Sequence, residues 1–356
     1  MIVITILFFC LILLGLLALW LRFYPHQSMP IGKVVDIKTP EEKYHNDCLH
    51  PCIRYYETPF AGYHYWVVQT PWYFYENKLE NPILYKTNDV SDFGEGVVVC
   101  EAHDCGYNSD PLLFREDNKL YVFWREYQTP LCNELGCQKA TVGMYTFDGI
   151  TFSEKVVYMT DDHIDSDTEQ SPVLIKRNTN EGDRYYFYAT WYQYKPNPIN
   201  KGIAIWEGTS LEVPDFQLKT LTPFRSVYTC DKLKQKRIGN HLWFIPKPLK
   251  FDLWHFDLLE YQEQLYMIAC SNMGENIMFA ESEDYVHFTM KRSPLINAHY
   301  CEKYEVPRMN LYKSSGFIKD NIFYLYYTST PWGMTEGYNK LRLSTIPINK
   351  LIKWRE

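Results

Sequence analysis

The chain has 356 residues, of which 46% are hydrophobic and 17% aromatic, with thirty tyrosines and a net charge of −7. That length and apolar content allow a substantial core, in one large domain or two modest ones. The negative balance argues against general nucleic-acid binding, which favours a concentrated basic surface.

From the N-terminus, Ile2 to Leu21 is apolar apart from Thr5. At about 1.5 Å per residue such a helix spans a bilayer core. A cleaved signal peptide would show a basic start, a shorter apolar run and a small-residue cleavage site, none of which is visible. The expectation is one uncleaved transmembrane helix in residues 1–24, followed by a polar stem over 25–46. Arg22, Lys33 and Lys38 follow the segment and nothing basic precedes it, which by the positive-inside rule favours a cytoplasmic domain. The cysteines pull the other way. Apart from Cys10 in the apolar run, Cys48/Cys52, Cys100/Cys105 and Cys132/Cys137 form close pairs, the last across the loop CNELGC. Such pairs suit disulfides in an oxidising compartment, so an extracytoplasmic or lumenal domain is expected. Buried free thiols are the plain alternative. Zinc would need four convergent ligands and C-x₂-C spacing, which is absent, so no metal site is expected from the cysteines.

Over residues 47–350 one pattern recurs five times. Tyrosine- and tryptophan-rich stretches begin at Gly62 (GYHYWVVQT), Lys119 (KLYVFWREY), Asp183 (DRYYFYATWY), Glu263 (EQLYMIACS) and Asp320 (DNIFYLYYTS). Each follows a turn rich in Gly, Asp, Asn or Gln and reads as a β-strand by its aromatic and β-branched content. Roughly ten residues upstream of each lies a short apolar strand: HPCI from His50, DPLLF from Asp110, SPVLI from Ser171, HFDLL from His255 and RMNLY from Arg308. Downstream lies a third strand, from Asn81, Thr141, Gly202, Asn276 and Lys340 in turn. Three or four strands repeated at intervals of about fifty to eighty residues are the signature of a β-propeller, and five units argue five blades. The predicted fold is therefore an all-β, five-bladed propeller preceded by the membrane helix. Blades stacked around an axis cover each other's faces, which explains consecutive rather than alternating aromatics. The competing reading, a β-sandwich, does not account for the same three-strand order five times. One long interruption, from about Leu211 to Lys250, carries the basic run KLKQKR and reads as a solvated insertion loop.

In a propeller the first strand of each blade lines the central channel, so the anchor residues converge there. The candidates are His50, Asp110, Glu169, His255 with Asp257, and Arg308. Here the chain resembles the five-bladed-propeller glycoside hydrolases, the superfamily of arabinanases, β-xylosidases, levansucrases and invertases. Those enzymes carry Asp-Pro on the first two blades and a Glu shortly before a Pro on the third. This sequence has His50-Pro51, Asp110-Pro111 and Glu169-Gln170-Ser171-Pro172. The runs ENPILYKTND from Glu80 and FAESEDYVHF from Phe279 also look like the superfamily's third strand and following turn. The resemblance implies a carbohydrate-active enzyme that cleaves or transfers a glycosyl unit. It makes Asp110, Glu169 and His50 the catalytic candidates, with His255, Asp257, Arg308 and Glu80 in the substrate shell. It also implies a channel calcium near His255 as the one candidate cofactor and a carbohydrate as partner, beside the membrane expected from the apolar run and the absence of nucleic acid expected from the charge. His50 stands where the family has an Asp, and Glu169 lies three residues before its proline instead of two, which exchanges faces in a strand unless a bulge restores it. Loss of one carboxylate removes the pair that standard glycoside hydrolysis needs. A non-catalytic glycan-binding or glycan-assembly propeller is therefore the alternative.

Overall fold

The computed structural model describes residues 2–23, 29–102, 105–161, 171–193, 200–223, 229–238, 241–249, 253–271, 276–291, 294–297, 309–331 and 339–353. Four-stranded antiparallel sheets form the first three blades. Their inner three strands are Cys52–Phe60, Tyr63–Gln69 and Ile83–Thr87, then Tyr107–Glu116, Lys119–Tyr127 and Lys139–Thr146, then Val173–Thr179, Gly182–Gln193 and Asn200–Gly208. The fourth blade runs Leu253–Tyr261, Gln264–Ser271 and Asn276–Ser282, and the fifth Met309–Lys319, Ile322–Pro331 and Lys340–Pro347. Inner strands of successive blades are neighbours, and that of the fifth blade meets both the fourth and the first, which closes the ring. The five-bladed propeller expected from the repeat is present.

The aromatic strands sit second in each blade, paired on both edges, and are buried on both faces. Tyr65, Trp66, Val67 and Val68 are all buried, as are Tyr121, Val122, Phe123 and Trp124. Their rings pack between blades: Phe123 of the second meets Phe187 of the third at 5.2 Å, and Phe317 of the fifth meets Tyr65 of the first at 5.6 Å. This interblade packing is why apolar side chains occur at consecutive positions.

The fifth blade takes its outermost strand from the N-terminal side. Lys33–Val34 pairs antiparallel with Lys340–Pro347, Lys33 opposite Leu343. Gly32 permits the approach, since a Cβ there would lie 2.1 Å from the Leu343 carbonyl oxygen. Asp36–Lys38 adds a parallel pairing with Asp92–Glu95, and Tyr44 is fully buried. Much of the expected stem thus packs on the propeller and ties its two ends together. The expected insertion loop also differs from its reading. KLKQKR lies in Thr229–Ile238, which forms a two-stranded hairpin with His241–Leu249.

Two further expectations concern the N-terminal helix and the cysteines. Ile2–Phe23 is helical, with exposed side chains over residues 5–16, but among the described residues no helix is long and apolar enough to cross a membrane. The expected disulfides are not formed: Cys48, Cys52, Cys100, Cys105 and Cys132 carry free thiols, so none of the pairs Cys48/Cys52, Cys100/Cys105 and Cys132/Cys137 is bridged. For the last pair the reason is local. The loop CNELGC is not an open turn, because Pro130–Leu135 forms a short helix capped by Thr129 and ended by Gly136. It turns the buried Cys132 thiol inward, onto the Glu126 carbonyl oxygen at 3.7 Å.

Candidate active centre

Four of the seven candidate side chains meet at one end of the channel. His50, just ahead of the first inner strand, Glu80 at the end of the loop between the second and third strands of that blade, Asp110 and His255 are each at most 5% exposed. What aims the last two is a set of β-bulges. The pairing register shifts between Ser109 and Leu112, between Leu253 and His255, and between Leu311 and Ser314. A bulge leaves a residue out of the ladder and re-aims its side chain. Asp110 is such a residue, at φ +54°, a left-handed conformation that Asp tolerates better than most. Tyr312 and Lys313 occupy the third bulge and enter the same centre.

The Asp110 carboxylate organises the centre by dividing its two oxygens. Oδ2 takes Arg125 Nη2 at 3.0 Å and the Ser109 hydroxyl at 3.3 Å. Oδ1 accepts no hydrogen bond, yet three nitrogens face it: His255 Nδ1 at 3.1 Å, Lys313 Nζ at 3.7 Å and His50 Nε2 at 3.8 Å. Each imidazole is held from behind through its other nitrogen. His50 Nδ1 pairs with the Thr70 hydroxyl at 2.8 Å, and His255 Nε2 with the Tyr312 hydroxyl at 2.9 Å. The Trp254 indole donates to that same hydroxyl at 2.8 Å. Glu80 Oε2 lies 3.7 Å from His50 Nδ1 and accepts no hydrogen bond.

Electrostatics separate the two carboxyls. Burial alone would raise Asp110, but His50, His255, Arg125 and Lys313 outweigh it and hold the group well below the usual carboxylate range. Burial pushes Glu80 well above its ordinary value, with Arg125 opposing and Asp110 adding to the rise. Burial also lowers His50 far below an ordinary histidine, against the pull of Asp110. The surroundings thus favour the ionised form of Asp110, the protonated form of Glu80 and the neutral form of His50. Environments that push two carboxyls apart in this way are those that assign acid and base roles.

The remaining candidates fall elsewhere. Asp257 is two residues past His255, but it turns away from the centre into a bidentate pair with Arg54, at 2.8 Å to each nitrogen. It also accepts from the Ser315 hydroxyl and from the Leu258 amide at 2.9 Å, so both its oxygens are met by protein donors. Glu169 and Arg308 lie outside the described residues. The sequence reading missed Arg125, Lys313 and Tyr312, although a signal existed for the first two. Each is a charged residue inside a stretch otherwise built for burial, KLYVFWREY and RMNLYKSS.

The donor atoms of His50, Asp110 and His255 lie within 4.8 Å of one another. These buried residues fit a metal by their chemistry: two imidazoles backed by hydroxyls and a carboxylate with one oxygen tied and one accepting no hydrogen bond. Two nitrogens and one oxygen suit a first-row transition metal or zinc, not the oxygen-seeking calcium expected near His255. Three protein ligands are the number that catalytic zinc sites use, where structural sites use four.

No protein-family model matches the sequence, and no curated protein does so either. Solved structures do match. An N-acetylgalactosamine deacetylase from F. plautii, crystallised with blood group B trisaccharide, superposes with a TM-score of 0.64 at 12% identity, over 91% of this chain and 97% of its own. A xylan β-1,4-xylosidase from Bacillus Halodurans C-125 gives 0.54 at 12% identity, over 90% of this chain and 54% of its own. A thermostable family-43 glycoside hydrolase gives 0.54 at 11% identity, over 90% and 92%. In fold, this chain is a divergent five-bladed β-propeller of the kind found in the arabinanase and β-xylosidase glycoside hydrolases.

Proposed function

We propose that this propeller is a carbohydrate-active hydrolase that binds a divalent transition metal through His50, Asp110 and His255 and removes an acyl group, such as the N-acetyl of an amino sugar. The observation carrying this reading is the convergence of those three buried donors, each held in place by a partner behind it. The similar fold of a sugar deacetylase supports it. When bound, the metal supplies Lewis acidity that polarises an acyl oxygen. The chain does the rest. Thr70 and Tyr312 fix the two imidazoles, Arg125 holds Asp110 Oδ2, and Glu80, whose acidity burial weakens, stands beside His50 as the proton donor to a leaving amine.

Cleavage or transfer of a glycosyl unit, with Asp110 and Glu169 as the acidic pair, is the second reading, favoured by the fold shared with xylosidases. A third is a propeller that binds glycans without chemistry. Metal analysis and product analysis separate the three. The purified protein should carry about one divalent metal per chain, and chelation should abolish acetate release from N-acetylated sugars until zinc or manganese is restored. Metal-independent release of a reducing sugar would replace this reading with the second, and binding without any product would leave the third.

We also propose single-pass anchoring through Ile2 to Leu21, with the propeller on the extracytoplasmic or lumenal side. The apolar run in the sequence supports the anchor. The full-length protein should stay in the pellet after alkaline carbonate washing, and removal of the first 28 residues should release a folded propeller. Recovery of the intact chain in the soluble fraction would end the anchoring proposal.

A further inference from the structure

Both ends of one loop of the first blade are built into the centre. At its start Thr70 bonds His50 Nδ1, and at its end Glu80 Oε2 faces the same atom. Between them run Trp72, Tyr73, Phe74 and Tyr75. The loop is braced. The Trp72 amide donates to Asp47 Oδ2 at 2.7 Å and its indole to Asn77 Oδ1 at 2.8 Å, while Tyr73 stacks on His45 at 3.8 Å. Leu79 is buried beneath it.

On this frame Phe74 and Tyr75 point outward, 49% and 38% exposed. Their backbones are left-handed, at φ +49° and +63°, which bulky side chains rarely adopt and which costs free energy at each position. Rigid bracing thus holds two large rings out in water, at the rim of a buried reactive centre. A sugar ring offers the matching chemistry, an apolar face of C–H groups edged by hydroxyls. An aromatic ring covers that face, and the Tyr75 hydroxyl and the exposed Glu76 and Asn77 supply polar partners beside it.

We propose that Trp72–Tyr75 is a saccharide subsite in which Phe74 and Tyr75 stack on the sugar next to the one whose substituent enters the centre. The substrate is then an oligosaccharide or the end of a longer glycan and not a free monosaccharide. This rests on the carbohydrate reading of the centre.

The test reads binding, so it does not depend on turnover. Probes are xylo-, arabino-, N-acetylgluco- and N-acetylgalacto-oligosaccharides of one to four units, titrated against the full-length protein and a variant carrying Phe74→Gly and Tyr75→Asn. Glycine and asparagine accept left-handed backbone, so the variant should melt no lower than the parent and keep its metal. At least one oligosaccharide should bind the parent about tenfold or more tightly than its monosaccharide. The variant should lose that gain, at about three- to tenfold per ring, with monosaccharide affinity unchanged. If no oligosaccharide outbinds its monomer, or the variant keeps the gain, the subsite does not exist. If the variant instead loses only binding to phosphatidylglycerol vesicles, the rings face a membrane and the proposal falls. Should the deacylation reading fail while this one holds, oligosaccharide binding will persist without acetate release.

Discussion

Asp110→Asn should both silence the protein and lower its melting temperature by on the order of 10 °C, a loss of about 3–5 kcal/mol. Asparagine keeps the shape and tolerates the left-handed backbone at this position, so the effect isolates charge. Asp110 is 1% exposed and is the carboxylate facing both Arg125 Nη2 and Lys313 Nζ. Removing its charge leaves these cations buried without it, and removing one partner of a buried ion pair costs far more than an exposed pair is worth. On the sequence alone, as a carboxylate at a channel mouth, this substitution would be expected to spare stability. The structure reverses that expectation. Adding Lys313→Met to Asp110→Asn should recover part of the stability and none of the activity, because it removes a stranded charge and not the missing ligand. Since the folded-state acidity of Asp110 is increased, its contribution is complete above the ordinary carboxylate range and is lost only as pH falls through the depressed value. A variant that melts with the parent across this range would show that the cluster is solvated and not a buried ion network.

Arg54→Ala should destabilise the propeller by about 3 kcal/mol while leaving metal content and turnover unchanged. Arg54 in the first blade's inner strand grips Asp257 of the fourth at 2.8 Å through both Nη1 and Nη2. Ser315 of the fifth blade donates to the same carboxylate and accepts from the Ile53 amide at 2.9 Å. One polar knot therefore clasps three blades across the channel. Without Arg54 the Asp257 carboxylate, at 3% residue exposure, has lost its bidentate cation. The reciprocal change, Asp257→Ala, should cost less, about 1–2 kcal/mol, because the Arg54 side chain is 18% exposed and its charge retains some water. Chemical denaturation of the two variants beside metal analysis checks both claims. Loss of metal or of substrate binding on Arg54→Ala would return Asp257 to the centre's machinery.

The centre was half legible in the sequence. His50, Glu80, Asp110 and His255 could be named because each lies near the start of an inner strand or at the end of the loop leading to a third strand, and such positions share one end of the channel. Which of them touch could not be read. Asp257 shows why: two residues from His255 on an ideal strand it would share a face with it, but the bulge between Leu253 and His255 turns the histidine to Asp110 and leaves Asp257 to Arg54. The same device hid Tyr312 and Lys313, which occupy the irregular register between Leu311 and Ser314.

The five-bladed architecture is encoded in the order of residues along the chain. Consecutive buried apolar side chains in five second strands can be satisfied only where both faces of every sheet are covered, and a closed ring of blades does this with local chain order alone. The make-up of the centre comes instead from the folded arrangement: His50 and Asp110 are sixty residues apart in sequence and His255 lies far beyond both, yet their donor atoms converge within 4.8 Å. Bulges and the closing ring set that meeting. A bulge depends on how one strand registers against another, so residue type and spacing do not encode it locally.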